Sequence, residues 1–320
     1  MAQRLSPPVQ TSPLKRTYRV TNWPDYNRAL VARGWATLWL HEEMLRDWRA
    51  TGGRNALQRH TAILSALSLR AVYKLALRQT QGFLGSLMAL PDPATPVPHY
   101  STLSRRAAEL AVPALVRGAQ KGPLHLAIDA GRPQGLWRGG MEDAPAWQGQ
   151  TPGVGATLHL AVDTETGEIL AHTLTGSDHH DGPELPGLLA KVKEPVAVVS
   201  ADKGYDSFAC HRAILAIGAH PVIPPRTGAA IIPPPGEKDP PATRGDAVRR
   251  IHEIGVKPWK VEAGYHRRSL AETAMARYKT IIGPNLKSRS RTTQITEAAV
   301  AICCINTFTA LGMPITVEIK

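Results

Sequence analysis

The chain has 320 residues, 43% of them hydrophobic and 5% aromatic, which is enough apolar content for a large core or two domains. Its 38 Lys and Arg against 26 Asp and Glu leave a formal net charge of +12, pointing to a polyanionic partner, nucleic acid first and an anionic membrane surface second. No apolar run of roughly 18 uncharged residues and no apolar leader occur, so neither spanning nor secretion is indicated and a cytoplasmic, nucleoid-associated location is expected; Cys210, Cys303 and Cys304 lack CxxC spacing, so any metal is expected on oxygen ligands.

Residues 1–24 are Pro-rich and basic and read as a flexible arm able to follow DNA phosphates. From 24 to 50 and from 60 to 90 the apolar spacing is helical, with breaks expected at Gly52, Gly53 and Gly82. A Pro-rich hinge, "PDPATPVPHY" (91–100), precedes "STLSRRAAELAVPALVRGA", a helix expected to restart at a Ser cap with Arg105 and Arg106 in its early turns. Short Arg-bearing helices of this kind suit helix-turn-helix DNA binding, and a helical bundle of any other purpose has the same pattern.

After residue 120 the period changes. "LHLAID" (124–129) alternates as a strand that Asp129 closes. A hairpin follows over 155–176, turning at Asp163 to Gly167, then a helix over 182–194. "VAVVSAD" (196–202) reads as a short buried parallel strand ending at Asp202. A helix over 207–219, a strand over 220–226, a Pro-rich loop over 227–245 and a basic helix complete this half as far as residue 263. The order is that of a mixed α/β sheet with Asp129 and Asp202 at the C-terminal ends of two strands, where open α/β sheets form their sites.

The segment "GYHRRSLAETAMARYKTIIG" (264–283) reads as one helix stopped by Gly283 and Pro284. At helical pitch Tyr265, Arg268, Glu272 and Lys279 share a stripe about 60° wide. Leu270, Ala271, Ala274, Met275, Tyr278, Ile281 and Ile282 make an apolar face beside it, and Ser269, Thr273, Ala276 and Thr280 face solvent. On its own, the Arg268–Glu272 spacing equally describes an ion-paired surface helix. With Asp129 and Asp202 it completes three carboxylates, a hard oxygen donor set suited to Mg²⁺ or Mn²⁺; a pair of such ions clamps the attacking and leaving oxygens of a phosphodiester. A last amphipathic helix is expected over 293–314.

The Tyr265, Arg268, Glu272, Lys279 spacing resembles the catalytic-helix motif of DDE insertion-sequence transposases. "SADKGYDS" around Asp202 is similar to their second-Asp motif, and "LHLAID" to the strand carrying the first. "YNRALVARGWATLWL", "LRQTQGFLGSL" and "PHYSTLSRR" resemble the insertion-sequence-five family, so that the likeness covers about 26–314. The resemblance implies a ribonuclease-H-like catalytic domain over 119–320, with a Pro-rich insertion at 227–245, after a helical DNA-binding region over 25–118. It also implies a metal-binding catalytic triad of Asp129, Asp202 and Glu272, with Arg268 and Lys279 on DNA phosphates and Tyr265 positioning the strand. Expected partners are double-stranded DNA, as terminal inverted repeats and target, and further copies of the chain in a synaptic complex, with no membrane partner. Two alternatives stay open: a DNA-binding protein with a decayed nuclease domain, and a ribonuclease-H-like nuclease that only hydrolyses.

Overall fold

The computed structural model describes residues 17–40, 45, 48, 60–90, 95–112, 122–131, 134–135, 156–176, 178–229 and 242–319. The expectations for 1–16, for the stretch around Gly52 and Gly53, for 91–94, for most of 113–121 and for 230–241 of the Pro-rich insertion lie outside these residues.

The arm expected over 1–24 is structured at its end. Thr17–Val20 (β1) pairs antiparallel with Thr316–Ile319 (β9), in register from Thr17↔Ile319 to Val20↔Thr316. Trp23–Ala32 (α1) begins two residues later, with Pro24 in its first turn, where the missing N–H costs nothing. His60–Val72 (α2) and Leu77–Ala89 (α3) form the helical region with Tyr100–Arg106 (α4). The break falls at residues 73–76, where Lys74 takes a positive φ of 57°, and Gly82 lies inside α3. The cap of α4 is His99, whose Nδ1 accepts from the Ser101 N–H, so the ring nitrogen does what a Ser was expected to do.

The second half is built on a five-stranded sheet of Leu124–Gly131 (β2), Ala156–Asp163 (β4), Ile169–Gly176 (β5), Val196–Ser200 (β6) and His220–Val222 (β7), in the order β5-β4-β2-β6-β7. β2, β4 and β5 form an antiparallel meander, and β6 and β7 add parallel to β2. Three meandering strands extended by two parallel ones is the ribonuclease-H-like arrangement. Gln134–Gly135 (β3) makes a separate two-stranded ladder with Asn285–Leu286 (β8). β2 runs two residues past Asp129, as far as Gly131↔Leu158, because β4 is long enough to keep pairing with it. Asp129 is therefore held on both sides by ordered strand, not by a turn.

Alternation separates the two faces of the sheet. Leu124, Leu126 and Ile128 pack with Leu185–Leu189 (α5) and Phe208–Ala216 (α6) on one face. The helix expected over 182–194 is only α5, entered through a 3₁₀ turn at Gly182–Glu184. On the other face Leu158, Leu160 and Val162 meet Ser269–Arg277 (α9) and Arg291–Leu311 (α10). Beyond β7, Ala242–Ile254 (α7) and Val256–Glu262 (α8) lead to the segment 264–283.

That segment is three conformations in series. Gly264, at φ 65°, opens a 3₁₀ turn at Tyr265–Arg268; α9 follows, and Tyr278–Ile282 is a π turn that ends at Gly283, φ 128°. A single 100° step per residue thus holds only along α9. The apolar face still behaves as expected, with Ala271, Ala274, Met275 and Tyr278 buried, while Ser269, Thr273, Ala276 and Thr280 are exposed.

α10 has the length and hydropathy of a membrane-crossing segment, but its apolar residues are consumed on two sides. Ala298, Ala301, Ile302 and Ile305 face the sheet; Val300, Cys304 and Phe308 enter the core of α2, α3 and α4 around Ile63, Leu69, Leu84 and Leu103. A helix that is apolar all round is one buried between two layers. The helical region and the sheet domain therefore share this helix. Asn306 fastens it to the edge strand β5, donating to the Ile169 carbonyl and accepting from its N–H, each at 2.8 Å.

Candidate active site

Two of the acidic residues lie near the C-terminal ends of β2 and β6, and Glu272 comes from the helix across them. Asp129 projects from β2 toward α9 and is mostly buried. Arg268, at the junction of the 3₁₀ turn and α9, donates from Nη1 to Asp129 Oδ1 at 3.1 Å and from Nη2 to Glu272 Oε1, one turn later. Its guanidinium thus stands between two carboxylates that come from different elements. Arg268 is largely buried, whereas Glu272 is exposed. The (i, i+4) pair foreseen from spacing is present, but Arg268 is divided between it and the strand.

Asp202 follows β6 and caps the 3₁₀ turn Lys203–Tyr205, its Oδ1 accepting from the Gly204 N–H at 2.8 Å. A Cβ on Gly204 would stand 2.8 Å from Asp202 Oδ1, so any side chain there would displace that carboxylate. The same loop is anchored by Asp206, fully buried, which takes two hydrogen bonds from Arg244 of α7, at 2.7 and 3.2 Å, and one from the Arg226 backbone. Gly131, two residues after Asp129, lets β2 approach α9 so closely that a Cβ would fall 2.6 Å from the Met275 sulfur. At both places glycine lets a neighbouring side chain pack against the backbone, and a Cβ would push that side chain aside.

Electrostatics joins the three acids. Burial pushes the Asp129 carboxyl above its ordinary value; Arg268 opposes this, and the charges of Glu272 and Asp202 add to it. Burial raises the Tyr265 hydroxyl, with Arg268 opposing and Asp202 reinforcing. For Arg268, burial favours the neutral form but is outweighed by Tyr265, Glu272, Asp129 and Asp202, so its pKa rises. Tyr265 lies under two cations, with Arg268 5.9 Å and Lys260 5.1 Å from its ring centroid. As the side chains stand, no three His, Cys, Asp or Glu among the described residues converge closely enough to hold a metal ion. Arg268 bridges Asp129 and Glu272 instead.

The other residues singled out from sequence lie apart. Lys279 is half-buried on the π turn and forms no ion pair with another described residue. Arg105 and Arg106 end α4 in the helical bundle, Arg105 exposed, remote in the fold from the acids.

Sequence reasoning passed over the loop "GSDHHDG" after β5. Asp181 Oδ2 lies 3.7 Å from the point where a Cβ on Gly204 would stand, so it flanks the same glycine as Asp202. Behind it, His159 of β4 is fully buried, bonded through Nε2 to Thr175 Oγ1 at 2.8 Å, with Nδ1 3.9 Å from Asp181 Oδ1. The Tyr205 hydroxyl is raised, by burial first and then by Asp181, Asp202 and Asp129. A cavity of about 180 Å³ opens here, lined by Ala130, Thr157, His179, His180 and Asp181. The only sequence signal was the adjacency of two His and an Asp, which carries no periodicity.

Residues 31–132 match a family described as "Transposase DDE domain", and residues 128–307, more than half of the chain, match a second family of the same description. Among solved structures the chain is similar to a piggyBac transposase synaptic complex with hairpin DNA, at 13% identity and a TM-score of 0.38, over 88% of this chain and 74% of that one. The wider match runs from the strand that carries Asp129, through the Asp202 turn and the Glu272 helix, into the helix that binds the two halves together. The chain belongs to the DDE transposases, enzymes of DNA transposition that act on DNA and depend on divalent metal.

Proposed function

We propose that Asp129, Asp202 and Glu272 are the catalytic acids of an insertion-sequence transposase of the insertion-sequence-five kind, and that they hold two Mg²⁺ or Mn²⁺ ions. The observation that carries this reading is the shared guanidinium: Arg268 bonds Asp129 and Glu272 at once, beside the turn capped by Asp202. Burial raises the Asp129 carboxyl, Arg268 opposes it, and the charges of Glu272 and Asp202 add to the rise, so that a further cation at these acids would be favoured. The donor set, oxygen alone, fits hard divalent ions. Such ions supply the charge neutralisation and oxygen activation that phosphodiester cleavage and joining require.

The protein's own part is positioning. β2 and β6 fix Asp129 and Asp202 on ordered backbone, and α9 brings Glu272 over them. Arg268 releases one carboxylate to meet a DNA phosphate, for which its planar fork is suited. Lys279, about two turns beyond Glu272 and without an ion-pair partner among the described residues, adds a second phosphate contact, and Tyr265 positions the DNA strand beside them. The helical region within 25–118, with Arg105 and Arg106 at the end of α4, grips the terminal inverted repeats, while target DNA enters across the acids in a synaptic assembly of several copies.

The test is to incubate the purified chain with Mg²⁺ and labelled element ends. Nicks bearing 3′-hydroxyls, followed by joined products, are expected. Each of Asp129→Ala, Asp202→Ala and Glu272→Ala is expected to abolish both while leaving end binding in place. Full activity in any one variant removes that residue from the site.

A further inference from the structure

We propose that Asp181 is a fourth carboxylate of this site, sharing a divalent cation with Asp202 and set in place from behind the sheet by His159. The inference rests on the assignment of Asp202 as a ligand and extends it to a loop that the triad does not include.

Three observations converge on Asp181. Its carboxylate and that of Asp202 stand against the same Gly204, 3.7 and 2.8 Å from the position a Cβ would occupy. The two carboxylates come from separate loops to flank one glycine, and a cation between them would offset their mutual repulsion. The second observation is independent of the acids. His159 is fully buried, its Nδ1 has no hydrogen-bond partner among the described residues, and that atom points at Asp181 Oδ1 from 3.9 Å. A buried ring nitrogen without a partner is costly in a native interior, and it is retained where it has something to orient. The Tyr205 hydroxyl, also buried and without a hydrogen-bond partner among the described residues, lies within electrostatic reach of Asp181, Asp202 and Asp129. Of these two groups, His159 is the one that faces Asp181 directly.

The sheet explains the arrangement. Ala130, next to Asp129, pairs with His159 across β2 and β4, and both side chains fall on the α5 and α6 face, opposite to Asp129. Asp129 and Glu272 therefore approach from one face, and Asp181 from the other. Asp202, beyond the end of β6, stands between them. The cavity of about 180 Å³ beside Asp181 leaves room for a hydrated ion on that side. An imidazole behind a carboxylate ligand fixes its orientation, in the way that outer partners commonly tune metal sites.

Mn²⁺ binding to the full-length chain without DNA, followed by electron paramagnetic resonance of the free ion, tests this apart from catalysis. Asp181→Asn, on an accessible loop, is expected to weaken Mn²⁺ binding threefold or more at unchanged far-ultraviolet dichroism, with Asp181→Glu closer to wild type. His159→Gln, which keeps a donor near Asp181, is expected to lie between Asp181→Asn and wild type. Asp202→Asn is measured alongside. If Asp202→Asn weakens binding and Asp181→Asn changes it less than threefold, the fourth-carboxylate proposal is overturned and the triad stands. If Asp202→Asn leaves binding unchanged, the ligand set proposed above fails and this inference fails with it.

Discussion

Arg268 and Asp129, 139 residues apart in sequence, are joined by a 3.1 Å hydrogen bond from guanidinium to carboxylate. The bond crosses from the start of α9 to the middle of the sheet and draws Glu272 toward the same place. A cation supplied by the protein therefore already neutralises part of the acidic cluster.

The elevated Asp129 carboxyl has a consequence for stability. Burial, with Glu272 and Asp202, lifts its folded pKa over the unfolded one, against the pull of Arg268. For a group raised in this direction the stability contribution is full below the unfolded value and is lost as pH rises through the folded value. Without divalent metal, Asp129→Asn is expected to melt about 1–3 °C above wild type at pH 7. The gain should vanish as pH falls below the ordinary Asp range, and cleavage should be absent at every pH. A variant that melts lower at pH 7 and recovers in acid would reverse the sign.

Lys279 separates phosphate contact from helix support. It is expected to tolerate Ala with a loss of at most about 1 kcal/mol in stability, the scale of a partly exposed charge. Strand joining should fall roughly tenfold or more, about 1.4 kcal/mol in the barrier. Joining at the wild-type rate by a normally folded Lys279→Ala protein would return Lys279 to a solvated surface role.

Gly204→Ala tests whether the Asp202 turn has any slack. The added carbon meets Asp202 Oδ1 at 2.8 Å, so the carboxylate has to turn away or the loop has to move. The loop is clamped by buried Asp206 and Arg244, so the carboxylate is expected to yield. Melting should change by less than about 2 kcal/mol while cleavage falls at least tenfold. Unchanged cleavage kinetics in this variant would show that the Asp202 cap is not required.

The shared core predicts how the chain can be divided. A fragment ending at residue 120 would lose Val300, Cys304 and Phe308 from the core of the helical region. It is expected to show little cooperative unfolding, and Phe308→Ala in the full chain to cost about 3–5 kcal/mol. End recognition is therefore measured in the full chain, where Arg105→Ala and Arg106→Ala should each lower the salt dependence of DNA binding by about one counterion. A well-folded, end-specific fragment of residues 1–120 would contradict the role given to α10.

Local pattern alone determined a good part of this protein. The strand at 124, the hairpin at 155–176 and the short apolar strand before Asp202 follow from alternation and turn residues, which act over a few residues of chain. The positions of Asp129 on a strand, of Asp202 just past one and of Glu272 on a helix also follow from local pattern, whereas the single helical stripe expected for Tyr265, Arg268, Glu272 and Lys279 is split over a 3₁₀ turn, α9 and a π turn. What tertiary structure alone decided are choices between distant partners. Arg268 reaches Asp129 as well as Glu272 because folding lays the start of α9 against β2, where Arg268 and Asp129 are both mostly buried while Glu272 stays exposed. Thr17–Val20 is a strand because Thr316–Ile319 offers it a ladder from the far end of the chain. α10 has the length and hydropathy of a membrane span, yet its apolar residues are taken up by the two layers that close on it. Asp181 comes toward Asp202 because β5 and β6 run in the same direction and finish at the same end of one sheet, a juxtaposition set by strand order, which no local period encodes.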